Sequence, residues 1–179
     1  PQLTIELLEM TGPLLADYFD TLDPTALGEP VSWAGPDPAP NWLDIAREYM
    51  ERWVHQQHIR DAVNRPGQRE ARFSAPVIAA SMHALPKALA AHAATVGTSV
   101  VVKIEGDAGG EWSVVRDPEA WRLFEGAAQD ARTSVVLPVA AWWRVVTLGM
   151  SPDDTWHRAE VRGDPVLGRA VLAAVAIIA

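Results

Sequence analysis

The reading starts from Asn41-Trp-Leu-Asp-Ile-Ala-Arg-Glu-Tyr-Met-Glu-Arg-Trp-Val-His-Gln-Gln-His-Ile-Arg-Asp-Ala-Val63. This stretch predicts one long helix, opened by Asn41 as N-cap with Asp44 three residues on, and stopped by Asn64-Arg-Pro-Gly67. On a helical wheel centred on Glu51, residues Asp44, Glu48, His55, His58 and Ala62 fall within roughly 60°. Leu43, Met50 and Val54 flank that stripe on one side and Ile45, Tyr49 and Ile59 on the other. A polar stripe between apolar flanks predicts a helix facing a lined cavity. Glu51 and His55 stand at i and i+4 and project the same way, so they can share one divalent metal ion. The same spacing also fits an ordinary i,i+4 pair on a solvated face. A catalytic zinc takes three protein ligands and keeps one position open. His58 is one candidate for the third, although three ligands within two turns of one helix crowd the ion.

Outward from this helix, Leu3–Leu22 shows one-sided helical spacing, with Pro13 as a kink or true start and Asp23-Pro24 as its end. Gly28 to Pro40 holds Pro30, Pro36, Pro38 and Pro40, a density that predicts an extended loop, pinned to the core by Trp33. Arg65 to Ala75 reads as a polar connection between domains. Pro76–Thr95 is an Ala-rich helical stretch broken at Pro86. After Gly97 the period changes. Ser99–Glu105 and Glu111–Arg116 predict antiparallel strands joined by the turn Gly106–Gly110. Asp117–Gly126 holds a short turn or strand, Arg132–Leu137 a further strand, Val139–Leu148 a helix and Ala159–Gly163 a short strand. Asp164 caps a last helix, Pro165–Ala179, with Pro165 at its first position. The fold class is α+β, with a helical part over residues 1–70 and an α+β part over 71–179.

Composition excludes several functions. The 179 residues carry a formal net charge of −8 and no basic block, so phosphate-backbone binding and attraction to an acidic membrane surface are disfavoured. There is no cysteine, hence no disulfide and no thiolate nucleophile, in agreement with a cytoplasmic protein. No apolar run approaches the roughly 20 residues of a membrane span. Gly106–Gly110 leads into a strand and is therefore no phosphate loop. His83, His92 and His157 read as structural or solvated, the last in a polar loop, and the tryptophans as core or cavity lining. Lysine is confined to Lys87 and Lys103 while alanine and arginine abound, the usage of a GC-rich, actinobacterial-type genome.

Three segments carry a family resemblance: Val31-Ser-Trp-Ala-Gly35, Pro40–Tyr49 and Glu51–Ala62. They resemble the mycothiol-dependent maleylpyruvate isomerase family of the DinB-like superfamily. Ala141-Trp-Trp-Arg144 and Gly163-Asp-Pro-Val-Leu-Gly-Arg169 are similar to its C-terminal domain, which is of sterol-carrier type. The resemblance implies a four-helix bundle holding a divalent metal, zinc first, through an early histidine and a Glu/His pair on the last bundle helix. That pair falls on Glu51 and His55. The early histidine has no counterpart here, so residues 3–22 and 41–64 would be the last two bundle helices. The third ligand would come from an N-terminal segment or from another chain in a homo-oligomer. The metal would turn the thiol of mycothiol into a thiolate nucleophile for isomerisation or transfer. The family's carboxylate-binding arginine would follow Gly149, where Met150 stands, and Arg144 is the substitute. The alternative from a different class is a non-catalytic binder or regulator, with a tryptophan-lined cavity for a small molecule.

Overall fold

The computed structural model describes residues 2–68 and 70–177. It is an α+β chain built on one mixed sheet of five strands, with a separate two-stranded ribbon. The sheet is built from β3 (Ser99–Glu105), β4 (Gly110–Arg116), β5 (Trp121–Glu125), β6 (Thr133–Pro138) and β7 (Glu160–Arg162), in the order β5-β4-β3-β6-β7. β3 and β4 form the expected hairpin, with Val102 opposite Trp112 and Lys103 opposite Glu111. β6 returns to lie parallel to β3, with Val102 opposite Val135 and Ile104 opposite Leu137.

Alternation decides which face is covered. Val100, Val102, Ile104, Trp112, Val114, Val135 and Leu137 are buried on one side. The opposite side carries Lys103 and Glu111, whose Nζ and Oε1 lie 3.5 Å apart. The apolar side is covered by α3 (Ala71–Ser81), α4 (Leu85–Leu89), α5 (Val139–Val146) and α7 (Pro165–Leu172). The long helix α2 (Asn41–Ala62) packs on α3, and Tyr49 Oη donates to the Phe73 carbonyl at 3.0 Å. One continuous core therefore runs from Met50, Trp53 and Val54 of α2 to the sheet.

Several expected boundaries move, each for a local reason. Pro40, in place of Asn41, is the N-cap of α2; Asn41 begins the helix and its Nδ2 donates back to the Asp23 carbonyl at 2.9 Å. The proline-rich segment contains a two-stranded ribbon, β1 (Leu27–Pro30) with β2 (Pro38–Pro40). Trp33 does pack on the core, and Lys87 Nζ ties the loop down through the Ser32 carbonyl at 2.7 Å. The presumed connection before Ala75 already contains the first turn of α3. The Ala-rich stretch after Pro76 is broken by a 3-10 turn at Met82–Ala84, and helix ends at Leu89.

α6 (Pro152–Arg158) stands where a polar loop is expected, so His157 is helical. Ser151 caps it by accepting from the Asp154 N–H at 3.1 Å. Asp164 caps α7 as expected, accepting from Val166 N–H at 2.8 Å. That helix stops at Leu172. The following residues turn inward, where the Ala176 and Ile177 amides both donate to the Val146 carbonyl. The remainder of the expected helix, residues 178–179, lies outside the described residues.

The first helix, α1 (Gln2–Asp20), continues past Pro13 and has no fully buried residue. Leu3, Leu8 and Leu14 are each more than 60% exposed, so its one-sided apolar pattern is not used against α2. Among the described residues no helix is long and apolar enough to cross a membrane.

Candidate functional site

The Glu51–His55 stripe turns away from the core. Burial on α2 follows Leu43, Met50, Trp53, Val54 and Gln57, and this face is set by α3 and α5. His55 is 60% exposed, with its Nε2 3.5 Å from Glu51 Oε2. The stripe faces outward because the apolar flank with Leu43, Met50 and Val54 is the one that packs; Ile59 and Tyr49 on the other flank stay exposed. His58 is half-buried and leans on the Trp143 ring with centroids 5.8 Å apart; its own ring lies 6.2 Å from that of His55. Among the described residues no three His, Cys, Asp or Glu side chains converge to hold a metal ion. Glu51 and His55 are therefore at most two of the three ligands that a catalytic zinc would take. Among the described residues this pair does not make a complete metal site.

A cavity of about 300 Å3 opens on a neighbouring face of the same helix. Trp53, Gln57 and Asp61, at i, i+4 and i+8, form its α2 wall. The facing wall is the end of β6 and the start of α5, from Pro138 to Arg144. The β3–β4 turn from Glu105 to Ala108 closes one side, and Gly67, Gln68 and Ser74 close the other. Trp53 and Trp143 meet edge to face at 5.8 Å, a geometry that aromatic rings favour.

Polar groups in this wall fall into two sets. Arg144 is committed: its Nη2 donates to Asp61 Oδ2 at 2.6 Å, its Nη1 to the Ala140 carbonyl at 2.8 Å, and its guanidinium lies 4.1 Å over the Trp143 ring. Gln57 is half committed. Its Oε1 accepts from the Gln68 N–H at 2.9 Å, which fixes the amide, and among the described residues Nε2 has no acceptor. Trp53 Nε1 also has none. Gln57 is 3% and Trp53 6% exposed, so both donors are removed from bulk water. An unpaired donor in such a place costs about 1–3 kcal/mol. Gly67 lies close beside Gln57: a Cβ there would stand 2.8 Å from Gln57 Oε1, so the amide would have to shift.

A second cavity of about 430 Å3 lies between the start of α2, α3 and the outer strands β4 and β5. Trp42, Trp112, Leu123, His83 and Glu125 line it. The His83 ring meets Trp42 edge to face at 5.1 Å. Burial pushes the His83 imidazole below the usual histidine range, against a smaller opposing pull from Glu125.

Arg144, to which the family resemblance points, is brought to the cavity together with Asp61. Trp53, Gln57 and Asp61 were not among the expected site residues, although their i, i+4, i+8 spacing on one helix was visible.

No protein-family model matches the chain, and no curated protein matches it. Solved structures similar to it include a UbiJ-SCP2 ubiquinone synthesis protein, 15% identical over 50% of this chain and 73% of that one, with a TM-score of 0.35. Sterol carrier protein 2 from Yarrowia lipolytica, in its apo form, is 17% identical over 75% of this chain and 90% of that one, at 0.35. The sterol carrier protein domain 2 of Helicoverpa armigera is 10% identical over 60% and 85%, at 0.36. The sterol-carrier part of the expected resemblance has these counterparts; none of the three is a DinB-like or maleylpyruvate isomerase structure. At such TM-scores the likeness places no residue of this chain on a residue of those proteins.

Proposed function

We propose that the protein binds a small, mostly apolar molecule in the cavity between α2, the β3–β4 turn and α5, without turning it over. The observation that carries this reading is the cavity itself, walled by the Trp53 and Trp143 rings together with Ala108, Val139 and Ala140. A cavity of this size stands at the lower end of the range for small-molecule sites, which are largely apolar with a few placed polar groups. Among the described residues the walls hold no nucleophile with an adjacent base: Ser74 Oγ donates to the carbonyl of Glu70, the N-cap of its own helix, at 3.1 Å.

The test uses the neutral fluorophore 6-propionyl-2-(dimethylamino)naphthalene. A saturable blue shift is expected with the wild-type protein, together with movement of the Trp53 indole N–H resonance. Ala140 lines the cavity from an exposed helix position, so Ala140→Trp fills the space at little cost to the fold and should abolish both signals. Binding that survives Ala140→Trp would place the probe elsewhere and overturn the reading. Turnover in a panel of thiols and acceptors would overturn its non-catalytic part.

The metal- and mycothiol-dependent reaction has narrower support. It rests on the Glu51–His55 pair alone, which lies on the exposed face of α2 outside the cavity.

A further inference from the structure

We infer that the second cavity, between the start of α2, α3 and the outer strands, takes a small alkylammonium cation, held by the Trp42 and Trp112 rings and the Glu125 carboxylate. The chemistry of this cavity of about 430 Å3 is one-sided. Glu125 is the one charged residue among its described lining, and the rest is Trp42, Trp112, His83 and aliphatic side chains. Trp112 and Glu125 stand directly opposite each other in the β4–β5 register, which sets the carboxylate beside the indole on the covered face of the sheet. That carboxylate is open to a ligand: Glu125 is exposed and has no ion-pair partner among the described residues. Trp42 is 38% exposed, so a ligand reaches its ring as well. No cation of the chain competes for the place. Burial holds the His83 imidazole toward its neutral form, and Arg47, next to Ala46 of the lining, is engaged by Asp44 at 2.9 Å and Glu48 at 3.0 Å. An anion would meet Glu125 with no counter-charge in the wall. A metal ion takes several oxygen or nitrogen ligands, and one carboxylate with one imidazole does not supply them. An alkylammonium spreads its charge over apolar carbons, so it leaves water more readily than a bare ammonium, rests on aromatic rings and needs one carboxylate as counter-ion.

Choline and 3,3-dimethyl-1-butanol share a shape and differ by one positive charge, so titrating both against the Trp42 and Trp112 indole N–H resonances tests this. At low ionic strength choline should bind about tenfold tighter and move both resonances, and added salt should narrow the gap. Glu125→Gln should abolish the advantage of choline and leave the alcohol unchanged. Glu119→Gln makes the same charge change in the exposed β4–β5 turn, at the far end of β5, and should leave choline binding as in wild type. Trp42→Leu should weaken choline several-fold. Ala79 lines this cavity from an exposed helix position, so Ala79→Trp should block choline, whereas Ala140→Trp, which fills the first cavity, should not. Choline binding no tighter than the alcohol overturns the inference. So does an equal loss in Glu119→Gln and Glu125→Gln, which assigns the attraction to net charge, and so does choline affinity untouched in folded Trp42→Leu. Binding that survives folded Ala79→Trp, or is lost in Ala140→Trp, places the cation elsewhere and overturns the site. Should Ala79→Trp not fold, the two glutamate variants and the indole resonances still decide the matter.

Discussion

Replacing Ser81 by alanine should cost about 2 kcal/mol, because one hydroxyl joins two helices behind the cavity. Ser81 Oγ accepts from Trp142 Nε1 at 2.7 Å and donates to the Ile78 carbonyl at 2.7 Å. Both Ser81 and Trp142 are fully buried. Alanine is smaller by one oxygen, so packing changes little, but the indole N–H loses its acceptor where no water reaches it. An orphaned buried donor costs about 1–3 kcal/mol. For a chain of this size each kcal/mol moves the melting midpoint by roughly 2–4 °C, so a fall of about 4–8 °C is expected. Trp142→Phe removes the donor itself, and Ser81 then keeps Ile78 as its acceptor. The double variant should therefore be more stable than the sum of the two single losses by about 1 kcal/mol. Urea unfolding at 25 °C, followed by far-UV dichroism so that tryptophan loss does not confuse the signal, measures all three. Since Trp143 is the next residue on α5, Ser81→Ala should also weaken fluorophore binding by a few-fold. The reasoning is refuted if Ser81→Ala costs under about 0.5 kcal/mol or if the two changes simply add.

Other expectations follow from single contacts. Gly163 has φ +86, and a Cβ there would stand 1.9 Å from the Arg132 carbonyl oxygen. Gly163→Ala should thus destabilise by about 3 kcal/mol or more in the same urea assay, through left-handed strain plus the clash. The Asp117 carboxyl is held down to about 2, first by the Ala120 backbone N–H and then by Arg122. A group depressed in the folded state stabilises above its unfolded value and loses that contribution as pH falls. Carboxyl NMR should find its midpoint near 2, and Asp117→Asn should remove stability above about pH 4 while converging with wild type toward pH 2. Zinc titration of wild type and His55→Ala should give similarly weak binding, with cavity binding untouched in both. Tight one-to-one zinc lost in His55→Ala would revive the metal reading.

The strands of the α+β fold were largely legible, because Ser99–Glu105 and Glu111–Arg116 alternate and are separated by glycines that allow only a turn. The parallel placement of β6 beside β3 was not, since pairing between segments remote in sequence leaves no local pattern. The helix α6 carried its own signal, Ser151 followed by Pro152 and two acids, a standard helix start that a Pro-and-Asp-rich stretch disguises as loop. The end of α7 was hidden because Ala173–Ile177 is as apolar as the helix before it, and only the Val146 carbonyl turns it inward. On α2 the spacing of Glu51 and His55 was plain, yet spacing fixes which residues share a face and not where that face points. The direction came from Trp53 and Val54 packing on the core, which turned Gln57 inward and His55 to solvent.

The parallel pairing of β3 with β6 also orders events in time. The β3–β4 hairpin closes on a four-residue turn and belongs to the microsecond class of folding steps. β6 docks only after the chain has run through β4 and β5 and come back, so that Val100 can meet Thr133. That long loop closure makes the β6 step slow. The facing wall of the cavity, Pro138 to Arg144, is the direct continuation of β6. The chain therefore acquires its hairpin early and its ligand cavity late, and a refolding protein should regain hairpin amide protection before it regains the capacity to bind.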